Sequence, residues 1–142
     1  LLEKKGTCSS KHAFLARVCE ENSKGDIHLI AGIFLMSPET HPSLTAFFET
    51  KPYSVLPELH CFLRFGGKRF DFTSSNFQFD RIEPTIVREQ RIEPHQVAEW
   101  KEKIHQDYLT KWLNRKPELN LSLTEIWADR EKCIELLINA NL

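Results

Sequence analysis

Residues 60–71 read His60-Cys61-Phe62-Leu63-Arg64-Phe65-Gly66-Gly67-Lys68-Arg69-Phe70-Asp71, and they predict a β-hairpin. The pair Gly66-Gly67 suits a two-residue hairpin turn, because such turns place residues at positive φ. The predicted strands are residues 59–65 and 68–73. With only the two glycines in the turn, Phe65 pairs with Lys68 and, counting outward, Phe62 pairs with Asp71.

The two faces of this hairpin differ in polarity. Residues that alternate along a strand, or that lie opposite each other across it, share a face. The apolar face is predicted to pack on the core and carries Cys61, Leu63, Phe65, Phe70 and Phe72. The other face is predicted to line a cleft and carries His60, Phe62, Arg64, Arg69, Asp71 and Thr73.

On the polar face, His60 and Asp71 are diagonal neighbours. Side chains in this relation have Cβ atoms roughly 7–8 Å apart or less, which an imidazole and a carboxylate can bridge. Asp71 would then accept a hydrogen bond from one ring nitrogen and leave the other nitrogen aimed outward as a base. The alternative is a histidine and an aspartate that merely share a solvated surface.

A cysteine stands where a helix is predicted to begin, in Gly6-Thr7-Cys8-Ser9-Ser10-Lys11-His12-Ala13. A helix-compatible pattern runs from about residue 8 to residue 21. A thiol in the first turn meets the positive end of the helix dipole and free N–H groups, and both lower its pKa. The alternative is a small buried hydrophobe. Together Cys8, His60 and Asp71 are the parts of a cysteine nucleophile with its base and its orienting acid.

The rest of the chain completes an α+β prediction. Residues 27–36 are a continuous apolar run typical of a buried strand, and residues 85–92 are a further strand. The long connection 37–58 is either a lid over the site or a surface excursion anchored by Phe47 and Phe48. Two helices follow, from Glu93-Pro94 to about residue 116 and from the capping box at residues 122–125 onward. We expect the Cys8 helix to pack on an antiparallel sheet in a single domain, residues 1–142, with its core in 6–92 and a C-terminal helical pair in 94–140.

Composition and charge argue against several classes of function. The 142 residues have a formal net charge of -1, which gives no electrostatic basis for binding nucleic acid or an anionic membrane. No apolar run approaches the roughly 20 residues that span a bilayer. Leu1-Leu2 runs directly into charged residues, so no secretion signal is expected. The four cysteines lack CxxC spacing, and we expect reduced thiols in the cytoplasm.

Other candidate residues have simpler expected roles. His12 lies one turn after Cys8, so Cys8, His12 and His60 leave a metal site open, although their spacing matches no zinc pattern. Arg64 and Arg69 could hold an acidic substrate group, but a cross-strand pair at a wet surface is preferred. We expect core thiols at Cys19 and Cys133, solvent-facing histidines at His95 and His105, and helix packing by Trp100, Trp112 and Trp127.

The order of these features resembles the transglutaminase-like superfamily of papain-like cysteine enzymes, in particular a bacterial group within it. The resemblance covers residues 6–73 and consists of a Cys-headed helix, a strand containing a glycine (Gly32), a histidine in the next strand and an aspartate after it. Asp71-Phe72-Thr73 is similar to the Asp-Pro-Thr ending of the family. Two positions differ: Cys61-Phe62 stands where the family often has Ala-Trp, and residues 1–7 show no upstream oxyanion donor.

This resemblance implies a papain-like core and a triad in which Cys8 attacks a carbonyl, His60 shuttles the proton and Asp71 orients His60. The implied activity is cysteine-dependent acyl transfer, or hydrolysis of a peptide, protein or small amide, with no cofactor. The backbone N–H of Cys8 remains as an oxyanion donor. Some family members have lost activity and act as binding modules, which is the alternative function. A metal-binding module is a third hypothesis.

Overall fold

The computed structural model describes residues 7–140. Its helices are α1 (Cys8–Glu21), α2 (Thr45–Glu49), α3 (Phe79–Ile82), α4 (Glu99–Asn114) and α5 (Leu123–Ala140). Its strands are β1 (His28–Met36), β2 (Leu56–Phe65), β3 (Lys68–Phe70) and β4 (Ile86–Arg91), and four short 3-10 turns connect these elements. Gly6 and the rest of the segment 1–6, where the sequence shows no oxyanion donor, lie outside the described residues.

The strands form one antiparallel sheet in the order β3-β2-β1-β4. The α+β prediction is confirmed, and Cys8 is the first residue of α1. The apolar run of β1 places it in the middle of the sheet, where nearly all of its side chains are buried. Across the described range 7–140, no helix is both long enough and apolar enough to span a membrane.

Each face of the sheet is covered by a separate apolar core. On one face, Leu59, Cys61 and Leu63 of β2 pack with β1, with Ala13 and Ala16 of α1 and with part of α4. The other core lies between the sheet and the segments around α2, α3 and α5. Phe48 of the long connection is buried in this second core. The connection is therefore anchored as an excursion, which favours that prediction over a lid.

The predicted hairpin register is confirmed, but the second strand is shorter than expected. Leu63 pairs with Phe70, Arg64 with Arg69 and Phe65 with Lys68, and the ladder then stops. Beyond Phe70 the Thr73 N–H donates to the Asp71 carboxylate at 2.8 Å, a local bond that replaces strand pairing. Asp71 consequently lies in the loop after β3 and not within a strand.

The prediction that Phe65, Phe70 and Phe72 belong to the core is wrong. Phe72 is 56% exposed, and the other two rings are also largely exposed. β3 is only three residues long, and among residues 7–140 no further element covers this end of the hairpin. The rings instead line an open apolar groove together with Leu15, Cys19, Ile27 and Leu63. Cys19 is therefore half-buried at this groove and is not a core thiol, whereas Cys133 is buried as expected.

The C-terminal helices also depart from expectation in part. The predicted helix at Glu93-Pro94 is a 3-10 turn, Pro94–Gln96, and α4 begins only at Glu99. Trp100 lies in the first turn of α4 and is 49% exposed, whereas His105 on the same helix faces inward and is 1% exposed. Both predictions for these residues are wrong, although Trp112 is buried and His95 is exposed. The capping box is confirmed, since Ser122 and Glu125 exchange hydrogen bonds.

Gly32 tests how tightly the centre of the sheet is packed. It lies opposite His60 in the β1–β2 register, and a Cβ built there would lie 2.6 Å from Cε1 of the fully buried Phe62. We expect Gly32→Ala to destabilise the fold by about 1–3 kcal/mol, because the aromatic ring must move. The thermal midpoint should fall by about 3–10 °C. Gly25→Ala is the matched control because a Cβ there meets nothing within 4 Å, and equal midpoints for the two variants would contradict this packing.

Candidate active site

Cys8 is positioned by a capped helix end. The Thr7 side chain is the N-cap and accepts from the Ser10 N–H at 3.2 Å. As the first residue of α1, Cys8 has a backbone N–H that cannot bond within the helix. The Cys8 residue is partly exposed, whereas Ser9 beside it is buried. The thiol therefore occupies the position that the sequence predicted, at the positive end of a fourteen-residue helix.

His60 and Asp71 are joined by a hydrogen bond between Nε2 and Oδ2, as the diagonal geometry predicts. The side chains are 8% and 3% exposed. The other ring nitrogen of His60 is thereby left free, and its ring interacts with the Cys8 thiol. The three side chains thus meet in the order Cys8, His60, Asp71.

The polar face of the hairpin does not line an open cleft as predicted. The segment that precedes and begins α3 folds over it and covers the imidazole. Phe77 stacks on His60 with ring centroids 4.9 Å apart, and Phe79 packs against both His60 and Phe62. These contacts fix the plane of the His60 ring, and no sequence signal identified the two phenylalanines as its neighbours.

The charges at the site favour a thiolate and an imidazolium. Burial raises the pKa of the Cys8 thiol, but the hydrogen bond and the positive charge of His60 outweigh burial and lower the pKa to about 6. Burial opposes protonation of His60, but its hydrogen bonds to Asp71 and Cys8 raise its pKa to about 9. The Asp71 carboxyl is also desolvated, yet its bond to His60 holds its pKa below the usual value. At neutral pH the site therefore holds a thiolate, an imidazolium and a carboxylate.

Two further groups that the sequence did not indicate support the thiolate. The backbone of Cys61 and the positive charge of Lys101 on α4 both lower the pKa of Cys8 further. Lys101 is held nearby because its Nζ donates to Ser9 Oγ at 2.5 Å. By contrast, burial raises the pKa of Cys61 to about 11 and that of Cys133 to about 12. Cys8 is thus the thiol whose surroundings favour ionisation.

His12 acts as a clamp beside the site. Its Nε2 accepts from the Phe72 N–H at 2.8 Å, so the proton lies on Nδ1, which donates to the Cys8 carbonyl oxygen at 2.7 Å. Burial lowers the pKa of His12, consistent with a neutral ring. Because both nitrogens are occupied, His12 has no lone pair free for a metal ion.

The remaining candidates do not enter the site. Arg64 and Arg69 pair across the hairpin, and both guanidinium groups bind Glu89 of β4, at 3.4 and 2.8 Å. Arg64 and Arg69 therefore form the cross-strand surface pair that the sequence favoured over binding of an acidic substrate group. Within residues 7–140, no group of three or more histidine, cysteine or acidic side chains is arranged to hold a metal ion.

Comparison of the chain with protein-family models, curated proteins and solved structures finds no match. The transglutaminase-like resemblance therefore stays a prediction.

The Cys8–His60 interaction predicts the alkylation behaviour of the thiol. Wild-type Cys8 should react with iodoacetamide along a curve with an inflection near pH 6. Removing the imidazole in His60→Ala should return the pKa to between about 8.5 and 9 and leave roughly a thirtieth to a hundredth of the thiolate at pH 7. More basic thiolates are better nucleophiles, so we expect the rate at pH 7 to fall only about two- to sixfold.

Peptide mapping by mass spectrometry separates alkylation of Cys8 from that of Cys19. His95→Ala is the matched control because His95 is an exposed histidine away from the thiol. Identical pH profiles for His60→Ala and His95→Ala would show that His60 does not ionise Cys8.

The His60–Asp71 bond predicts that Asp71→Asn harms chemistry more than stability. The asparagine oxygen can still accept from Thr73, but its NH2 group would donate to His60 Nε2 and force the ring proton onto the nitrogen facing Cys8. We expect turnover at Cys8 to fall by roughly 10²- to 10⁴-fold and its alkylation at pH 7 to fall by no more than in His60→Ala, with little change in thermal midpoint. A lower midpoint with full reactivity of the folded fraction would instead make Asp71 a structural residue, and no effect on either would make it incidental.

Proposed function

We propose that this protein is a cysteine-dependent hydrolase or acyltransferase that acts on an amide bond of a peptide, a protein or a small molecule. The observation that carries the proposal is the arrangement of three side chains: Cys8 at a helix N-terminus interacts with His60, and His60 is hydrogen-bonded to Asp71. We further propose that residues 7–73 form a papain-like, transglutaminase-like core. The α+β architecture with Cys8 opening the first helix supports this assignment.

In the first step, the Cys8 thiolate would attack the substrate carbonyl carbon and form a carbon–sulfur bond. The negative charge passes to the carbonyl oxygen, which the free N–H groups at the start of α1 would stabilise. His60, protonated at neutral pH, then donates its proton to the departing nitrogen as the carbon–nitrogen bond breaks. The products are a free amine and a Cys8 thioester.

In the second step, neutral His60 would take a proton from water or from an acceptor amine as that molecule attacks the thioester. Water yields a carboxylic acid and an amine yields a new amide, and both regenerate the thiolate–imidazolium pair. Asp71 holds His60 through Nε2 in both steps, so the nitrogen facing Cys8 carries the mobile proton. Free, reduced thiols suit a reducing compartment, and we propose a cytoplasmic location.

A catalytically silent binding domain is the second candidate function. It is favoured by the deep burial of the His60 and Asp71 side chains beneath Phe77 and Phe79. Such a domain would use the same surroundings to hold a ligand without forming a thioester. The alkylation rate and turnover of Cys8 distinguish the two candidates.

Turnover of a panel of amide and ester substrates tests the enzymatic proposal. For any substrate that is cleaved, kcat/KM should follow a bell-shaped pH profile. The acid limb near pH 6 reports protonation of Cys8, and the alkaline limb near pH 9 reports loss of the His60 proton that the leaving group needs.

Cys8→Ala should abolish this turnover. Cys19→Ala, which removes a partly exposed thiol from the same helix, should leave it unchanged. Turnover that survives in Cys8→Ala would refute the proposal. Fast alkylation of Cys8 with no turnover of any substrate would favour the binding domain.

A further inference from the structure

A cavity of about 480 Å³ that is open to solvent lies beside the site, between Lys11 of α1, the segment around residues 40–43, the segment 74–82 and Leu137 of α5, and most of its polar lining, Arg81 included, is exposed. This volume is within the range that holds small ligands. Its charged and polar lining includes Lys11, His41, Asn76, Gln78 and Arg81. The mechanism uses none of these side chains, and of the five only the His41 ring packs on a core residue, Phe34.

The charge in this cavity is of one sign. Lys11 and Arg81 contribute two cations, and no aspartate or glutamate is among the lining residues. Within residues 7–140, neither cation has a carboxylate partner within the 4.0 Å of a salt bridge, whereas Arg64, Arg69 and Arg130 each have one. Lys11 is held in place because its Nζ donates to the Thr73 carbonyl oxygen at 2.5 Å. The amides of Asn76 and Gln78 and the hydroxyls of Ser43 and Ser74 add neutral hydrogen-bonding groups, whereas the buried Thr40 hydroxyl already bonds to Ser37.

The cavity shares walls with the Cys8 site. Phe77 lines the cavity and stacks on the His60 ring at 4.9 Å. Lys11 follows Cys8 by less than one helical turn, and its partner Thr73 donates its N–H to Asp71. A molecule in the cavity would therefore lie next to the residues that hold His60 and Asp71.

We propose that this cavity holds an anionic group, a carboxylate or a phosphate, of the molecule on which Cys8 acts. The link to Cys8 rests on the proposed function. The anion site itself rests on the cavity and on Lys11 and Arg81, which have no carboxylate partner within residues 7–140. Arg81 provides a planar fork that matches either anion, and Lys11 provides a point charge. The substrate class is thus an amide with an acidic group beyond the scissile bond.

Isothermal titration of Cys8→Ala protein with inorganic phosphate and, separately, with glutarate tests the anion site without any need for turnover. Ionic strength is kept constant with chloride. We expect one saturable site for at least one of the anions, and binding at least about tenfold weaker when Arg81→Gln is added. Arg88→Gln is the matched control, because Arg88 is an exposed arginine on β4 that does not line the cavity.

The two anions separate the sources of negative charge. Binding of phosphate alone indicates a phosphorylated substrate, and binding of glutarate alone indicates an acidic amino acid or peptide. No saturable binding, or equal weakening by Arg81→Gln and Arg88→Gln, overturns the proposal. Lys11→Gln provides a second variant and should weaken binding in the same way.

A kinetic comparison keeps this proposal distinct from the proposed function. Two amide substrates that differ only in a distal carboxylate are compared in the wild-type protein and in Arg81→Gln. A selective loss of kcat/KM for the acidic substrate supports the proposal. Equal cleavage of both substrates, unchanged by Arg81→Gln, overturns it and leaves the hydrolase standing. Anion binding lost in Arg81→Gln, with no turnover of either substrate, supports the anion site and counts against the hydrolase.

Discussion

The neutral imidazole of His12 ties together the two segments on which the site depends. It donates to the carbonyl of Cys8 and accepts from the N–H of Phe72, which follows Asp71 in the chain. Both bonds require one protonated and one unprotonated ring nitrogen, so a charged His12 would lose the bond to Phe72. Burial lowers the pKa of the ring and so keeps it neutral. The start of α1 and the loop after β3 are thereby held at a fixed separation, with His60 bound between Cys8 and Asp71.

Because β3 is only three residues long, helices rather than a strand pack beside the part of β2 that faces the thiolate. Because β3 reaches only to the position opposite Leu63, no other strand within residues 7–140 lies beside the outer edge of β2 from Leu56 to Phe62. Helices lie along this edge instead: the Pro57 carbonyl accepts from His105 Nε2 of α4 at 2.9 Å, and the Cys61 backbone is close enough to Cys8 of α1 to lower the pKa of its thiol. A longer third strand would have used the edge groups of β2 in ladder bonds. Covering the edge with α1 and α4 also removes an exposed template for pairing with another chain.

Local chemistry explains what could be predicted from the sequence. Two glycines at positive φ set the hairpin register, and that register places His60 within reach of Asp71. Errors arose where burial depends on distant elements, since alternation along a strand cannot tell whether anything covers Phe72. The same limit applies to Lys101, which is one lysine among several on a partly exposed helix. Only the packing of α4 beside α1 brings it to Ser9, and no motif in the sequence encodes that contact.

The charges of the site stabilise the fold and the chemistry over the same range of pH. Because the pKa of His60 is raised to about 9, its protonation stabilises the folded state. This contribution to the free energy of unfolding is complete below about pH 6.5 and is lost as pH rises through 9. Because the pKa of Cys8 is lowered from 9.0 to about 6, ionisation of its thiol also stabilises the folded state. This contribution is complete above pH 9 and is lost as pH falls through 6. The two contributions overlap between pH 6 and 9, where both partners are charged. Without His60 the Cys8 thiolate would lose the cation that compensates its burial, whereas His60 without Cys8 would keep its bond to Asp71, so the thiolate depends on the imidazolium more than the reverse.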